Sequence, residues 1–107
     1  MAGTRDRISI HDDLVRAINE KRVIEFVYKI PGARLAEPHD YGVKRGVDTL
    51  LAYQLSGASR SRAPHGWRYI EVADIEAFKV LDRLFPGSRA DAQQHHGVWD
   101  ALFARVK

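Results

Sequence analysis

Asp48-Thr49-Leu50-Leu51-Ala52-Tyr53-Gln54-Leu55 is the stretch whose reading decides the fold. It is short and largely apolar. Loop-like sequence flanks it: Lys44-Arg45-Gly46 before it and Ser56 to Gly66 after it. An apolar run of this length between turn residues reads as a strand. Its place mid-chain makes it the centre of a small, strongly curved sheet. Alternate residues face opposite sides, so either Leu50 and Ala52 or Leu51 and Tyr53 point inward.

Upstream, Val23 to Ile30 is β-branched and aromatic and reads as the first strand. Pro31-Gly32 supplies the fixed φ and the permissive residue of a turn. Ala33 to Val43 is a second extended segment, and Pro38 marks an edge, a bulge or a bend in it because proline donates nothing to a ladder. Ahead of the strands, Ser9 to Arg22 reads as a helix with Ser9 as N-cap. Asp12 and Asp13 then fall in its first turn and Lys21 and Arg22 in its last, as the helix dipole favours. Ile10, Leu14, Ala17 and Ile18 form its apolar stripe.

Downstream, Trp67 to Val72 reads as a fourth strand, Ala73-Asp74-Ile75 as a turn and Glu76 to Leu81 as a fifth strand. A helix over Asp74 to Leu84 fits the apolar spacing as well, and periodicity does not separate the two. Val98, Leu102 and Val106 recur four apart, with Trp99 and Phe103 beside them, and read as a short terminal helix. Strands this closely spaced pair antiparallel, because parallel pairs need long crossovers. The expected architecture is mainly β: a five-stranded antiparallel barrel over about 23–85, one domain across 1–107, with 86–107 as a C-terminal extension. Closure removes exposed edges.

Composition narrows the chemistry. The 107 residues contain no cysteine, so disulfides, thiolate metal sites and cysteine nucleophiles are excluded. No apolar run reaches the roughly 18 residues of a membrane helix, and the N-terminus lacks the apolar stretch of a signal peptide. A cytoplasmic, non-membrane protein is expected. The net charge of +3 fits either ordinary solvated surface or a locally basic face. No nucleophile elbow, P-loop, zinc-protease helix or Gly-rich dinucleotide turn is present, so no catalytic residue is nominated. His95-His96 resembles a metal pair, but adjacent side chains diverge and no acid stands at helical ligand spacing. No metal or cofactor is expected.

Four segments carry a resemblance: A-I-N-E-K-R-V-I-E-F-V-Y, A-R-L-A-E-P-H-D-Y, G-V-D-T-L-L-A-Y and W-R-Y-I-E-V-A-D-I. Together they resemble a WYL domain, over roughly Leu14 to Leu81. The resemblance implies a helix leading into an Sm-like, SH3-type five-stranded barrel. It matches the family's tyrosine at Tyr28, its arginine and proline at Arg34 and Pro38, and the first arginine of its later basic strand at Arg68. The family's Trp-Tyr-Leu triplet falls on Asp48-Thr49-Leu50, where only the leucine matches, and its second arginine falls on Asp74. Such domains usually follow a winged helix in bacterial transcription regulators and are thought to sense a nucleotide-like or nucleic-acid ligand. For this chain the resemblance implies a stand-alone module or a fragment of a longer regulator.

The candidate ligand-binding residues are Arg34 and Arg68, whose guanidinium groups fork onto phosphate or carboxylate. Arg60, Arg62 and His65, with Lys44 and Arg45, could form a basic rim. Tyr28, Tyr41, Tyr53, Trp67 and Tyr69 are stacking candidates, with Trp67 best placed beside the basic loop. The competing reading has Asp48 or Asp74 paired with Arg34 or Arg68, filling the pocket with its own salt bridge. The chain would then be a protein-interaction or dimerisation module using the apolar residues around Trp99 and Phe103. The expected partners are thus a nucleotide or single-stranded nucleic acid, or else a second copy or a regulatory protein.

Overall fold

The computed structural model describes the backbone of residues 2–59 and 63–107, and within those ranges the side chains from residue 10 onward. Helix α1 spans Ala2–Glu20, so it starts well before Ser9. Ser9 is therefore an internal residue rather than the N-cap, Asp12 and Asp13 lie mid-helix, and Lys21 and Arg22 lie beyond its end. Asp13 pairs instead with Arg16 at 3.7 Å. Lys21 ends the helix by turning left-handed, at φ 57°. The apolar stripe is as read. Leu14, Ala17 and Ile18 are buried in the core and Ile10 packs against it.

The strands are β1 (Arg22–Tyr28), β2 (Ile30–Lys44), β3 (Val47–Gly57), β4 (Gly66–Glu71), β5 (Ile75–Leu84) and β6 (Ala101–Arg105). They form one antiparallel sheet in the order β4-β3-β2-β1-β5, with β6 added to β2. The sheet is not closed: among the described residues no pairing joins β4 to β5. The expected barrel is corrected to an open, curved sheet. The three-residue helical turn Val72–Asp74 redirects the chain between extended residues Glu71 and Ile75, where a hairpin would reverse it. β5 is thereby delivered to β1 rather than laid along β4.

β2 organises the sheet. β3 pairs along almost all of it, from Arg34↔Gly57 to Lys44↔Val47. Its other edge is shared. β1 takes the first half, up to Ile24↔Ala36, and β6 takes the second, from Asp40↔Arg105 to Val43↔Ala101. The register against β3 slips between Pro38 and Asp40, so Pro38 marks a bulge, where its missing N–H costs no ladder bond.

The reversals follow backbone chemistry. Arg45 and Gly46 both have positive φ (53° and 77°) and close the β2–β3 hairpin at Lys44↔Val47. The first reversal lies at Lys29 (φ 64°), between the paired Tyr28 and Ile30, and not at Pro31-Gly32. Pro31 and Gly32 belong to the start of β2. Between Asp74 and Leu84 strand prevails over helix, with a bulge at Ala77 (φ 50°) where the register against β1 skips.

The core lies between α1 and one face of the sheet: Ile24, Phe26, Ala36, Tyr41, Leu50, Ala52 and Ile70 meet Leu14 and Ile18 there. Burying a side chain such as Phe26 or Leu50 contributes about 2 kcal/mol. Leu51 is equally buried but belongs to the opposite face, beside its cross-strand partners Asp40 and Tyr69. Tyr41 links the layers. Its hydroxyl lies 2.7 Å from His11 Nδ1 and its ring meets Phe103 edge-on. Burial pushes this hydroxyl up to about 12, so it stays protonated.

The terminal segment departs furthest from expectation. Residues 101–105 are strand, not helix, and 86–107 is not an appendage. A two-turn helix has little stability of its own. The free β2 edge at Asp40–Val43 offers backbone partners instead. Gly42 permits the approach: a Cβ there would stand 2.2 Å from the Ala101 carbonyl oxygen and 2.9 Å from Leu102 Cα. Gly42→Ala is expected to cost about 2 kcal/mol, in the range of overpacking. It should also speed amide exchange in residues 101–105 while leaving β3 protected. Hydrogen exchange read by mass spectrometry checks this.

Candidate functional site

Arg34 lies on the core face of β2 and is only 5% exposed. Its Nη2 donates to the Tyr28 carbonyl at 2.8 Å and its Nη1 to Gln54 Oε1 at 3.4 Å. The guanidinium sits 5.3 Å from the centre of the Tyr28 ring. Gln54, fully buried, turns its amide nitrogen to the carbonyls of Ala58 (2.9 Å) and Pro64 (3.1 Å). Arg68 donates to the carbonyls of Trp67 (3.0 Å) and Ala63 (2.8 Å) and to the Ser59 hydroxyl (3.2 Å). Gln54 and Arg68 therefore converge on the two ends of one loop and grip it, and Arg34 braces Gln54 from behind. Arg60 and Arg62, at the centre of that loop, lie outside the described residues. His65 is exposed just after it.

The two acids are placed otherwise than the competing reading requires. Asp74 pairs with Lys29 at 3.7 Å. Asp48 stands opposite Val43, at the far end of the β2–β3 ladder from Arg34↔Gly57.

Beside this grip runs an open groove of about 430 Å³ lined by Tyr28, Lys44, Arg45, Thr49, Tyr69 and Glu71, among others. Tyr28 joins the two regions: its carbonyl holds Arg34, and its hydroxyl oxygen accepts the Glu71 N–H at 3.1 Å. Lys44 donates to the Val98 carbonyl at 3.0 Å and stands 5.2 Å from the Tyr69 ring and 5.5 Å from the Trp99 ring. Arg45, on the left-handed turn, is exposed. Burial, reinforced by the Asp40 charge, raises the Tyr69 hydroxyl above its ordinary value. It stays protonated and donates to the His95 carbonyl. Two cations and two phenol rings against one carboxylate suit the groove to a small anion bearing an aromatic ring.

The outer face of β3–β4 holds Tyr53, Trp67 and Tyr69, and the chain itself covers the first two. Arg89 lies 3.5 Å over the Tyr53 ring. His95 stacks on Trp67 at 4.8 Å and 21°. Trp67 Nε1 donates to Asp91 at 3.1 Å, and this bond holds the Asp91 carboxyl below its usual range. Trp67, the favoured stacking platform, thus already carries a ring on its face, and Tyr41 belongs to the core.

The adjacent His39 and Asp40 are the hub of this face. Asp40 is completely buried. Arg105 forks onto it at 2.9 and 3.0 Å, and His96 donates from Nδ1 at 2.5 Å. The bond to Asp40 raises the Arg105 guanidinium above its ordinary value. Glu37, one residue before Pro38, takes Arg89 Nε at 2.7 Å. A proline flanked by acids and a histidine at a bulge was the only local signal for this hub.

Among the described residues no cluster of three His, Asp or Glu side chains could hold a metal ion, and no helix is long and apolar enough to cross a membrane. No protein-family model matches the chain, and neither a curated protein nor a solved structure matches it significantly.

Proposed function

We propose that this chain is a non-enzymatic, WYL-like ligand-sensing module that binds a nucleotide-like or nucleic-acid anion in the service of transcription regulation. The observation that carries the reading is the groove between Tyr28 and Tyr69 with Lys44 and Arg45 at its rim. The strand order also supports it. β1 lies between β2 and β5, and a short 3₁₀ turn joins β4 to β5, as in an Sm-like or SH3-type arrangement left open at the β4/β5 seam. In this reading Lys44 and Arg45 contact the anion and the tyrosine rings contact its base. Arg34 and Arg68 act one step back: Arg34 holds the Tyr28 carbonyl and braces Gln54, and Arg68 with Gln54 ties down the loop at Ala58, Ser59, Ala63 and Pro64.

The test is fluorescence anisotropy of short single-stranded oligonucleotides and of mononucleotides across a salt series. With two phosphate contacts, affinity should fall roughly tenfold between about 50 and 300 mM salt. Lys44→Ala with Arg45→Ala should flatten that dependence. An absence of binding at low salt, or binding indifferent to the double substitution, would remove the groove from consideration.

A second reading, protein interaction or self-association, is favoured by one feature. Val98 is 86% exposed, and Leu102 and Phe103 on β6 are more than 40% exposed. A dimer in sedimentation that Phe103→Glu dissolves would support it.

A further inference from the structure

His39 is fully buried, and both of its ring nitrogens are used. Nδ1 lies 2.9 Å from the Glu37 carbonyl oxygen, which can only accept, so Nδ1 carries the proton. Nε2 then accepts the backbone N–H of Arg89 at 3.2 Å. The ring is held edge-on to Trp67 and stacked on Phe85. One tautomer satisfies the whole arrangement, and a second proton has no acceptor, because it would point at an N–H.

The contact joins two parts of the fold that are far apart in sequence. On one side is the β2 bulge. On the other is the stretch Ser88–His95, which crosses the outer face and supplies the groups covering Tyr53 and Trp67. We propose that His39 is a pH-operated catch on this strap: its protonation expels the Arg89 amide and frees residues 88–95, uncovering Tyr53 and Trp67.

Burial and the charged groups around the ring together set the sign. On β2 are Glu37 and Asp40, whose carboxylates favour the protonated ring. Glu37 is committed to Arg89, and Asp40 to Arg105 and His96. From the strap comes Arg89, which disfavours it. Trp67 on β4 and Phe85 are uncharged, and beyond Trp67 lie Asp91 and His95. From β6 the neighbour is Arg105, and the Val106 N–H bonds the His39 carbonyl. Burial outweighs the carboxylates and holds His39 below the ordinary histidine value. Protonation therefore favours any state in which the ring reaches water. The closed strap is at full strength above about pH 6.5 and weakens as pH falls below that. The opening constant rises by up to roughly tenfold per pH unit until the ring titrates in the closed state.

Amide exchange of the intact protein between pH 7 and pH 5, corrected for intrinsic rates, tests the catch. The Arg89, Ala92 and His95 amides should lose protection by up to roughly tenfold per unit below pH 6.5, while those of Leu50 and Leu51 keep theirs. His39→Gln, whose side-chain oxygen can take the place of Nε2, should abolish the selective loss. Nitrogen-15 spectra of the unmodified protein should show the Nδ1–H tautomer at neutral pH, a readout that needs no variant. Protection of residues 88–95 that stays flat, a loss shared equally by β3, or the Nε2–H tautomer would each overturn the catch. The catch does not rest on the groove's having a ligand, and groove binding that failed would leave the catch standing.

Discussion

Asp40→Asn should destabilise the protein by about 3 kcal/mol and detach β6 before the rest of the sheet melts. Asp40 is wholly buried and receives three donors from two residues: Arg105 through Nε and Nη2, and His96 through Nδ1. Asparagine has one acceptor oxygen where the carboxylate has two, and its NH₂ would face donors. Breaking a buried ionic hub typically costs about 3–5 kcal/mol. The lower end applies here because the Arg105 side chain is 41% exposed and water recovers part of the loss. Urea denaturation gives the stability change, and exchange of the residue 101–105 amides gives the order of release. A loss below about 1 kcal/mol would mean that β6 is held by its ladder alone.

Gln54→Leu, close in volume, should cost about 3 kcal/mol and make the 57–64 loop the first site of proteolysis. The buried amide of Gln54 reaches the Ala58 and Pro64 carbonyls and gives Arg34 an acceptor. Leucine supplies none of these and sits against a buried guanidinium. Limited proteolysis at neutral pH, with the cut mapped by mass spectrometry, should move to residues 58–64. Unchanged cleavage and a stability shift under about 0.5 kcal/mol would show that Arg68 holds the loop unaided.

What the residues disclose in advance divides along a physical line. The β3 run, the α1 stripe, the Pro38 bulge and the Lys44-Arg45-Gly46 reversal are local, and each is legible from a few neighbouring side chains. β6 is not. Val98, Leu102 and Val106 fit a helix, and what draws residues 101–105 into a strand is an unpaired edge at Asp40–Val43, some sixty residues earlier in the chain. Nor is the hub at Asp40, whose partners His96 and Arg105 are 56 and 65 residues away. Whether the sheet closes is hidden in the sequence for a related reason. The Val72–Asp74 turn is short enough for a hairpin, and only its helical geometry shows that it bends the chain instead of folding it back.

Arg34 and Arg68 were legible as a pair but not by task. A guanidinium grips phosphate oxygens and backbone carbonyls by the same forked geometry, and carbonyls leave no mark in a sequence. Here Arg68 and Gln54 hold a loop, and Arg34 holds Gln54 and the Tyr28 carbonyl. The groove at Lys44 and Arg45 could be anticipated as basic. Its walls, Tyr28 and Tyr69, come together only because β1 and β4 arrive from opposite sides of the β2–β3 ladder.

The shared edge of β2 carries one further consequence. Its second half is filled by β6, which the chain delivers across residues 85–100. Nothing in that seat distinguishes a strand of the same molecule from the same strand of another. The Gly42 cleft and the Asp40 carboxylate would receive either on identical terms, so two copies could trade their last strands without losing a bond. Protein concentration and the span of that connection, not any difference in contacts, would then set the balance between a self-contained monomer and a swapped dimer.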